Sequence, residues 1–285
     1  MKFLIALSKI DRRVVYLLLA LAVVVPMIVS FNVRFHVDRS TRDLFEAVDR
    51  IPPGGQPLML VFDYDPQIMP ELDPMATAIL RHCFARGIRV VGVTTGAQGA
   101  ALGERAMARA AAEHGKRIGE DYCYFGYKLF LSMIYFGENA RRALPVDHYG
   151  RPFDSLPMMR GIRNYDDIPL VIDLAGSSIL NSWIVYMGAR YHVRLGAGVT
   201  AVMAPDFYQF LQTGQLAGQL SGMKGAAEYE QLVVERGYAP AKGLASRAMN
   251  AISASHLLLI ALIVMGNVGY FAARRAKPKN PQGGA

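Results

Sequence analysis

Twenty residues without a charge, Val14 to Val33 (VVYLLLALAVVVPMIVSFNV), constrain this chain before anything else. As a helix rising about 1.5 Å per residue they cover roughly 30 Å, the thickness of a bilayer core. A second uncharged run, Ala251 to Ala273, is most apolar over Leu257 to Tyr270. Both read as membrane-spanning helices, and a membrane helix tolerates a proline such as Pro26. The first run exceeds the roughly 7–15 residues of a secretion-signal core. No small-x-small site stands behind it at Phe31-Asn32-Val33-Arg34, so an uncleaved anchor is expected.

Charge supports the same layout. Lys2, Lys9, Arg12 and Arg13 against Asp11 give +3 before the first run, and Arg274, Arg275, Lys277 and Lys279 give +4 after the second. Of the formal +8 only about +1 remains for residues 34–250. The basic excess therefore flanks the membrane runs, and no nucleic-acid partner is implied. Positive charge at both ends places both termini in the cytoplasm of a bacterial inner membrane, with the middle segment periplasmic or extracellular. With 52% hydrophobic and 19% charged residues the chain is neither disordered nor a disulfide scaffold. Cys83 and Cys123 could pair in an oxidising compartment, but Cys83 falls on the apolar face of a helix, which favours a buried free thiol. The expected layout is a cytoplasmic start (1–13), a span (14–33), an α/β domain (34–240), a linker and second span (241–273) and a cytoplasmic tail (274–285).

The middle segment reads as helix from Ser40, then a strand at Leu58–Tyr64, a helix from Pro74 to Arg86 and a strand at Ile88–Thr95. An alanine-rich helix follows from Ala97 to His114. Strands are expected again at Tyr122–Tyr127, Ile168–Leu174 and Val199–Met203. Helices are expected at Leu129–Leu144, Ile179–Tyr191, Phe207–Leu211, Gln215–Arg236 and 239–273. Strand–helix alternation with short links forces parallel strands joined by right-handed crossovers. The fold class expected is an open, mostly parallel Rossmann-like α/β sheet of four or five strands flanked by helices.

Ligands of such sheets bind beyond the carboxyl ends of the strands. Those ends carry Asp63-Tyr64-Asp65, Thr94-Thr95-Gly96, and Asp173 followed by Gly176-Ser177-Ser178. The run LVFDYDP resembles motif one of the haloacid dehalogenase-like hydrolases. That resemblance implies Asp63 as nucleophile, Asp65 as general acid/base, Thr95 as phosphate donor, and Lys116 or Lys128 as the family's lysine. The pattern departs at Gln67, where the family has Thr or Val. It departs again after Asp173, where a second acid for magnesium is missing, so magnesium is expected only if the hydrolase reading holds. Apart from this resemblance, Asp63 and Asp65 read as caps for the next helix or as residues that hold a loop. Thr94, Gly96, Gly176, Ser177 and Ser178 are candidate ligand-binding positions, although Ser177 reads equally well as an N-cap. No cofactor motif of the GxGxxG or GxxxxGK[ST] type is present, no GxSxG, and no metal-ligand spacing.

Gly214, Gly218 and Gly222 recur every fourth residue and would line one ridge of the helix expected at Gln215–Arg236. Gly266, Asn267 and Gly269 in the second membrane run point to helix contacts in the bilayer, since the Asn267 amide needs a partner there. These six residues are candidate interface positions, with the lipid bilayer and protein partners or further copies of the chain as the implied partners. The segments FDYDPQIMPELDPMATAILRH (62–82), LGAGVTAVMAPDFYQFLQTGQL (195–216) and GMKGAAEYE (222–230), with the terminal runs, resemble an uncharacterised family of bacterial two-pass membrane proteins. That resemblance implies an α/β domain outside the membrane and brings no catalytic residues. The function expected is a membrane-anchored binding or scaffold domain within a membrane complex. The alternatives are a phosphohydrolase-like enzyme centred on Asp63 and Asp65, and an extracytoplasmic ligand sensor.

Overall fold

A computed structural model describes residues 11–29, 34 and 36–276, which fall into two compact units. Residues 34–246 form one unit. The other is drawn from the two ends of the chain.

The end unit contains α1 (Arg12–Ile28) and most of α11 (Leu244–Ala276). Among the described residues one helix is long and apolar enough to cross a membrane, over Leu244–Ala272 with mean hydropathy 2.0. The expectation of two such helices is thus met only at the C-terminal end. Helix α1 has 17 residues and stops at Ile28, and residues 30–33 of the first expected span lie outside the described residues. Gly266, Asn267 and Gly269 all fall on α11, and a side chain at Gly266 would meet open space.

The α/β unit is built on six parallel strands: β1 (Leu58–Asp63), β2 (Val90–Thr94), β3 (Tyr122–Tyr127), β4 (Val171–Ala175), β5 (Leu195–Val199) and β6 (Leu216–Ser221). Their order is β3-β2-β1-β4-β5-β6, so the chain starts at the centre, works outward to one edge, returns and works outward to the other. Strands β1, β2, β4 and β5 are buried at every residue, which is why they read as unbroken apolar runs. The sequence reading placed four of the six strands. The one expected at Val199–Met203 meets β5 only at Val199, because the glycine-rich LGAGV ahead of it forms the strand and residues 200–203 turn away. The sixth was hidden in the helix expected at Gln215–Arg236. There the chain forms β6 first and then α10 (Gly222–Glu235). LAGQLS carries only two strong hydrophobes, too few to mark an edge strand by pattern.

One face of the sheet carries Leu60, Phe62, Gly92, Ile172, Gly196 and Gly198. It packs on α2 (Arg39–Asp49), α3 (Met69–Ala85), α4 (Ala100–Glu113) and α10. The other face carries Met59, Val61, Val91, Val93, Phe125, Val171 and Ala197. It is covered by α5 (Phe130–Phe136), α6 (Ala140–Ala143) and a segment in which α7 (Ile179–Ser182) runs into a π-helical turn (Trp183–Gly188) and α8 (Ala189–Tyr191). A further short helix, α9 (Tyr208–Gln212), precedes β6. The helix expected over Leu129–Leu144 is broken into α5 and α6 at Gly137. Cys83 and Cys123 are both buried free thiols, so the disulfide alternative is not realised.

The glycine ridge is also corrected. Gly214 sits in a turn at φ +75°, Gly218 lies in β6, and Gly222 opens α10 at φ +59°, so the three do not share a helix. Gly218 does serve close packing. A Cβ there would lie 2.6 Å from the Ser40 carbonyl oxygen and 2.7 Å from Leu44 Cα, so α2 crosses β6 at backbone contact.

Candidate functional site

The strand order reverses between β1 and β4, and these two strands carry the sheet's two buried aspartates, Asp63 at the carboxyl end of β1 and Asp173 in β4. Asp63 ends β1 and is 8% exposed. Its Oδ1 accepts the Thr95 backbone N–H at 2.6 Å, and its Oδ2 accepts the Thr95 hydroxyl at 2.6 Å. The Thr94 hydroxyl donates to the Phe62 carbonyl at 2.8 Å and lies 3.1 Å from Asp63 Oδ1. The indole N–H of Trp183 reaches Oδ2 at 3.4 Å. Burial pushes the Asp63 carboxyl above the usual carboxylate range, against the hydrogen bonds from Thr95, Trp183 and Thr94, which hold it down.

Asp173 lies in the middle of β4, fully buried. It pairs in register with Val61, while Asp63 pairs with Ala175. Side chains two apart on a strand share a face. Asp63 and Asp173 therefore project from the same face of neighbouring strands, on the side covered by Trp183. Among the described residues neither oxygen of Asp173 has a hydrogen-bond partner.

Of the other sequence candidates, Asp65 does not join this pair. Its Oδ1 accepts the N–H groups of Gln67 at 2.8 Å and Ile68 at 3.3 Å, shaping the turn into α3. Asp65 thus holds the loop ahead of α3 rather than capping that helix, whose N-cap is Ile68. Gly96 donates its N–H to Thr94 Oγ1 at 3.1 Å, so Thr94 and Gly96 are internal parts of the turn. Ser177 and Ser178 are exposed, and Ser177 Oγ lies 3.4 Å from the N–H of Ile179. Ile68 packs directly over Gly176, so the loops after β1 and β4 touch where an open crevice would otherwise lie. The backbone of Lys128 bonds to the Thr94 carbonyl at 2.9 Å, and burial lowers its ammonium from the usual value. Lys116 follows the C-terminal end of α4 and precedes β3, at the amino ends of the strands and so at the opposite end from Asp63. Among the described residues no three His, Cys, Asp or Glu side chains gather where they could hold a metal ion.

A hollow of about 530 Å³ is lined by His192, Arg194, Gly214 and Gln215, at the amino ends of β5 and β6 and so at the far edge from Asp63. Beside the aspartate site the surface is apolar instead. Tyr127, Leu129 and Leu131, where β3 passes into α5, and Val185 and Tyr186 on the π-helical turn all stand exposed, Leu129 by 62% and Val185 by 59%. Phe130 joins the two groups, edge-on to Trp183 at 5.8 Å and to Tyr186 at 5.9 Å. Tyr127 and Phe130 belong to an aromatic run, YCYFGYKLFLSMIYF at 122–136, whose other aromatic rings are mostly in the core. Trp183 itself carried no signal beyond being the chain's single tryptophan.

No family model matches the chain, and neither a curated protein nor a solved structure is similar to it.

Proposed function

We propose that the chain is a membrane-anchored α/β binding module that acts within a membrane protein complex. One observation carries this reading: an exposed apolar surface (Tyr127, Leu129, Leu131, Val185, Tyr186) beside an aspartate site that is closed and internally bonded. Contiguous exposed apolar groups mark contact surfaces in soluble domains. In this reading both termini are cytoplasmic, the α/β unit lies outside a bacterial inner membrane, and both α1 and α11 cross the bilayer.

The experiment is extraction of the full-length protein in mild detergent, with mass and composition read together. A defined complex is expected. The surface variants Leu131→Asp and Val185→Asp should lose the partners, while Asp63→Asn keeps them. A wild-type protein that runs alone, or partners indifferent to both surface changes, would sink the reading.

A phosphohydrolase is the second reading, favoured by the approach of Thr95 to Asp63 at the strand ends. It predicts turnover of phosphate monoesters that Asp63→Asn abolishes. Against it stand the engaged Asp65 and, among the described residues, no cluster of three acids, cysteines or histidines at the site.

A further inference from the structure

An ionised carboxylate without partners in an apolar interior is among the least stable arrangements a fold can carry. Asp173 is enclosed by such an interior. Val61 faces it from β1 and Ala197 from β5, with Trp183 in the same apolar cluster. Both of its oxygens lack a hydrogen-bond partner among the described residues. No lysine, arginine or histidine forms an ion pair with it among the described residues. The one titratable group acting on it is Asp63, a register step further along β1 on the same face. The other groups around the pair, Thr94, Thr95 and Trp183, do not titrate near neutral pH, and Thr95 and Trp183 donate to Asp63. Tyr124 also feels the Asp63 charge, but burial raises its phenol and its hydroxyl donates to the Ala100 carbonyl at 2.7 Å, so it stays neutral. Three donors, the Thr95 N–H, the Thr95 hydroxyl and the Trp183 indole N–H, favour a charged Asp63, and none among the described residues favours a charged Asp173.

We infer that Asp63 and Asp173 form a buried proton site that holds one proton at neutral pH, with Asp173 as the neutral acid and Asp63 as the carboxylate. Burial and the charge of Asp63 both act in this direction on Asp173. The binding equilibrium is a single acid dissociation, in which the Asp173 O–H bond breaks and the proton passes to water. Ionised Asp173 would then stand against the Asp63 carboxylate with no cation between them. The two would repel across β1 and β4 and loosen the π-helical turn that covers them. The site thereby links the cover over β1 and β4, with the apolar surface on its outer side, to alkaline pH. The inference does not depend on that surface having a partner.

The linkage has a definite sign. A folded-state value above the unfolded carboxylate value of about 3.9 means that the native state keeps a proton which the unfolded chain has released. The ratio of folded to unfolded protein then falls about tenfold per pH unit between the two values from this group alone.

The test uses the full-length protein in detergent, with infrared spectroscopy for the proton and Trp183 fluorescence for the cover. Trp183 is the chain's single tryptophan, so its emission reports this site. At pH 7 the wild type should show the carbonyl stretch of a protonated buried carboxyl group. Asp63→Asn should keep that band, and Asp173→Asn should lose it. Raising the pH should bring on a change in Trp183 emission in the wild type that Asp173→Asn delays or abolishes, with the thermal midpoint of that variant falling less steeply toward high pH. A wild type without the band, or a band that survives Asp173→Asn, overturns the inference. So does an alkaline emission change that is identical in the two proteins. Should Asp173→Asn fail to fold, the wild-type band and its assignment by Asp173→Leu decide the question.

Discussion

Thr95 holds Asp63 with both of its donors, the backbone N–H on one carboxylate oxygen and the hydroxyl on the other, each at 2.6 Å. Only a residue directly after β2 with a hydroxyl on Cβ can do this, because the N–H and the Oγ must lie on the same side of the chain. Thr95→Val keeps the N–H bond and removes the other. A hydrogen bond to a buried charged group is worth about 1.5–3 kcal/mol, so the thermal midpoint should drop by several degrees. Thr95→Ser should recover most of the loss, and an unchanged Thr95→Val would show that the hydroxyl bond contributes nothing.

Glu230 on α10 anchors the start of α11. Its carboxylate accepts the N–H groups of Gly243, Ala245 and Ser246 at 3.1, 3.1 and 2.9 Å and the Ser246 hydroxyl at 2.8 Å. It thus satisfies the unpaired donors of a helix start from another helix. Glu230→Ala should cost about 2–3 kcal/mol and expose Leu244–Ser246 to protease, whereas Glu230→Gln should cost less. Limited proteolysis followed by mass spectrometry distinguishes the two.

Gly218 and Gly214 should respond differently to alanine. At Gly218 the added methyl meets the backbone of α2, and overpacking of that kind costs about 1–3 kcal/mol. At Gly214 there is open space and only the left-handed φ of +75° resists, a cost of about 1 kcal/mol. Circular-dichroism melts of the two variants give the order directly, and Gly214→Ala falling below Gly218→Ala would contradict it.

His82 is fully buried, stacked on Phe45 at 4.3 Å, with Nδ1 2.8 Å from the Tyr229 hydroxyl and Nε2 3.2 Å from Asp49. Burial lowers its imidazole to about 4, against the pull of the Asp49 carboxylate. The folded value lies below the unfolded one of about 6.5, so the unfolded chain takes up a proton first as the pH falls. The neutral histidine's contribution is complete above pH 6.5 or so and is lost progressively toward pH 4, a change of about 3 kcal/mol. A nuclear magnetic resonance titration should find this ring neutral at pH 5, and a ring protonated at that pH would refute the prediction.

The interior of the fold was easier to read from sequence than its edges, for a physical reason. Leu58–Asp63 and Val90–Thr94 are buried on both sides, so apolar runs announce them. Strand β6 borders the sheet and carries Gly218 where α2 crosses, so its composition is that of neither a core strand nor an amphipathic helix. The Asp63–Thr95 relation was accessible because both residues end strands, and the parallel order brings strand ends together. Asp65 misled because its spacing matches a catalytic motif while its carboxylate closes a turn. Glu230 had no local signature at all. Its partners lie 13 to 16 residues further along, across a loop whose path only packing decides.

The strand order also shapes how the protein is made. Met59 of β1 pairs with Val91 on one side and with Val171 on the other, so one neighbour of β1 is synthesised soon after it and the other much later. A ribosome that has passed Tyr127 has delivered β1, β2 and β3, while the second edge of β1, apolar from Leu58 to Phe62, stays unpaired until β4 emerges. The nascent chain is therefore most adhesive in mid-translation, and a message cut between Tyr127 and Val171 yields a product that aggregates.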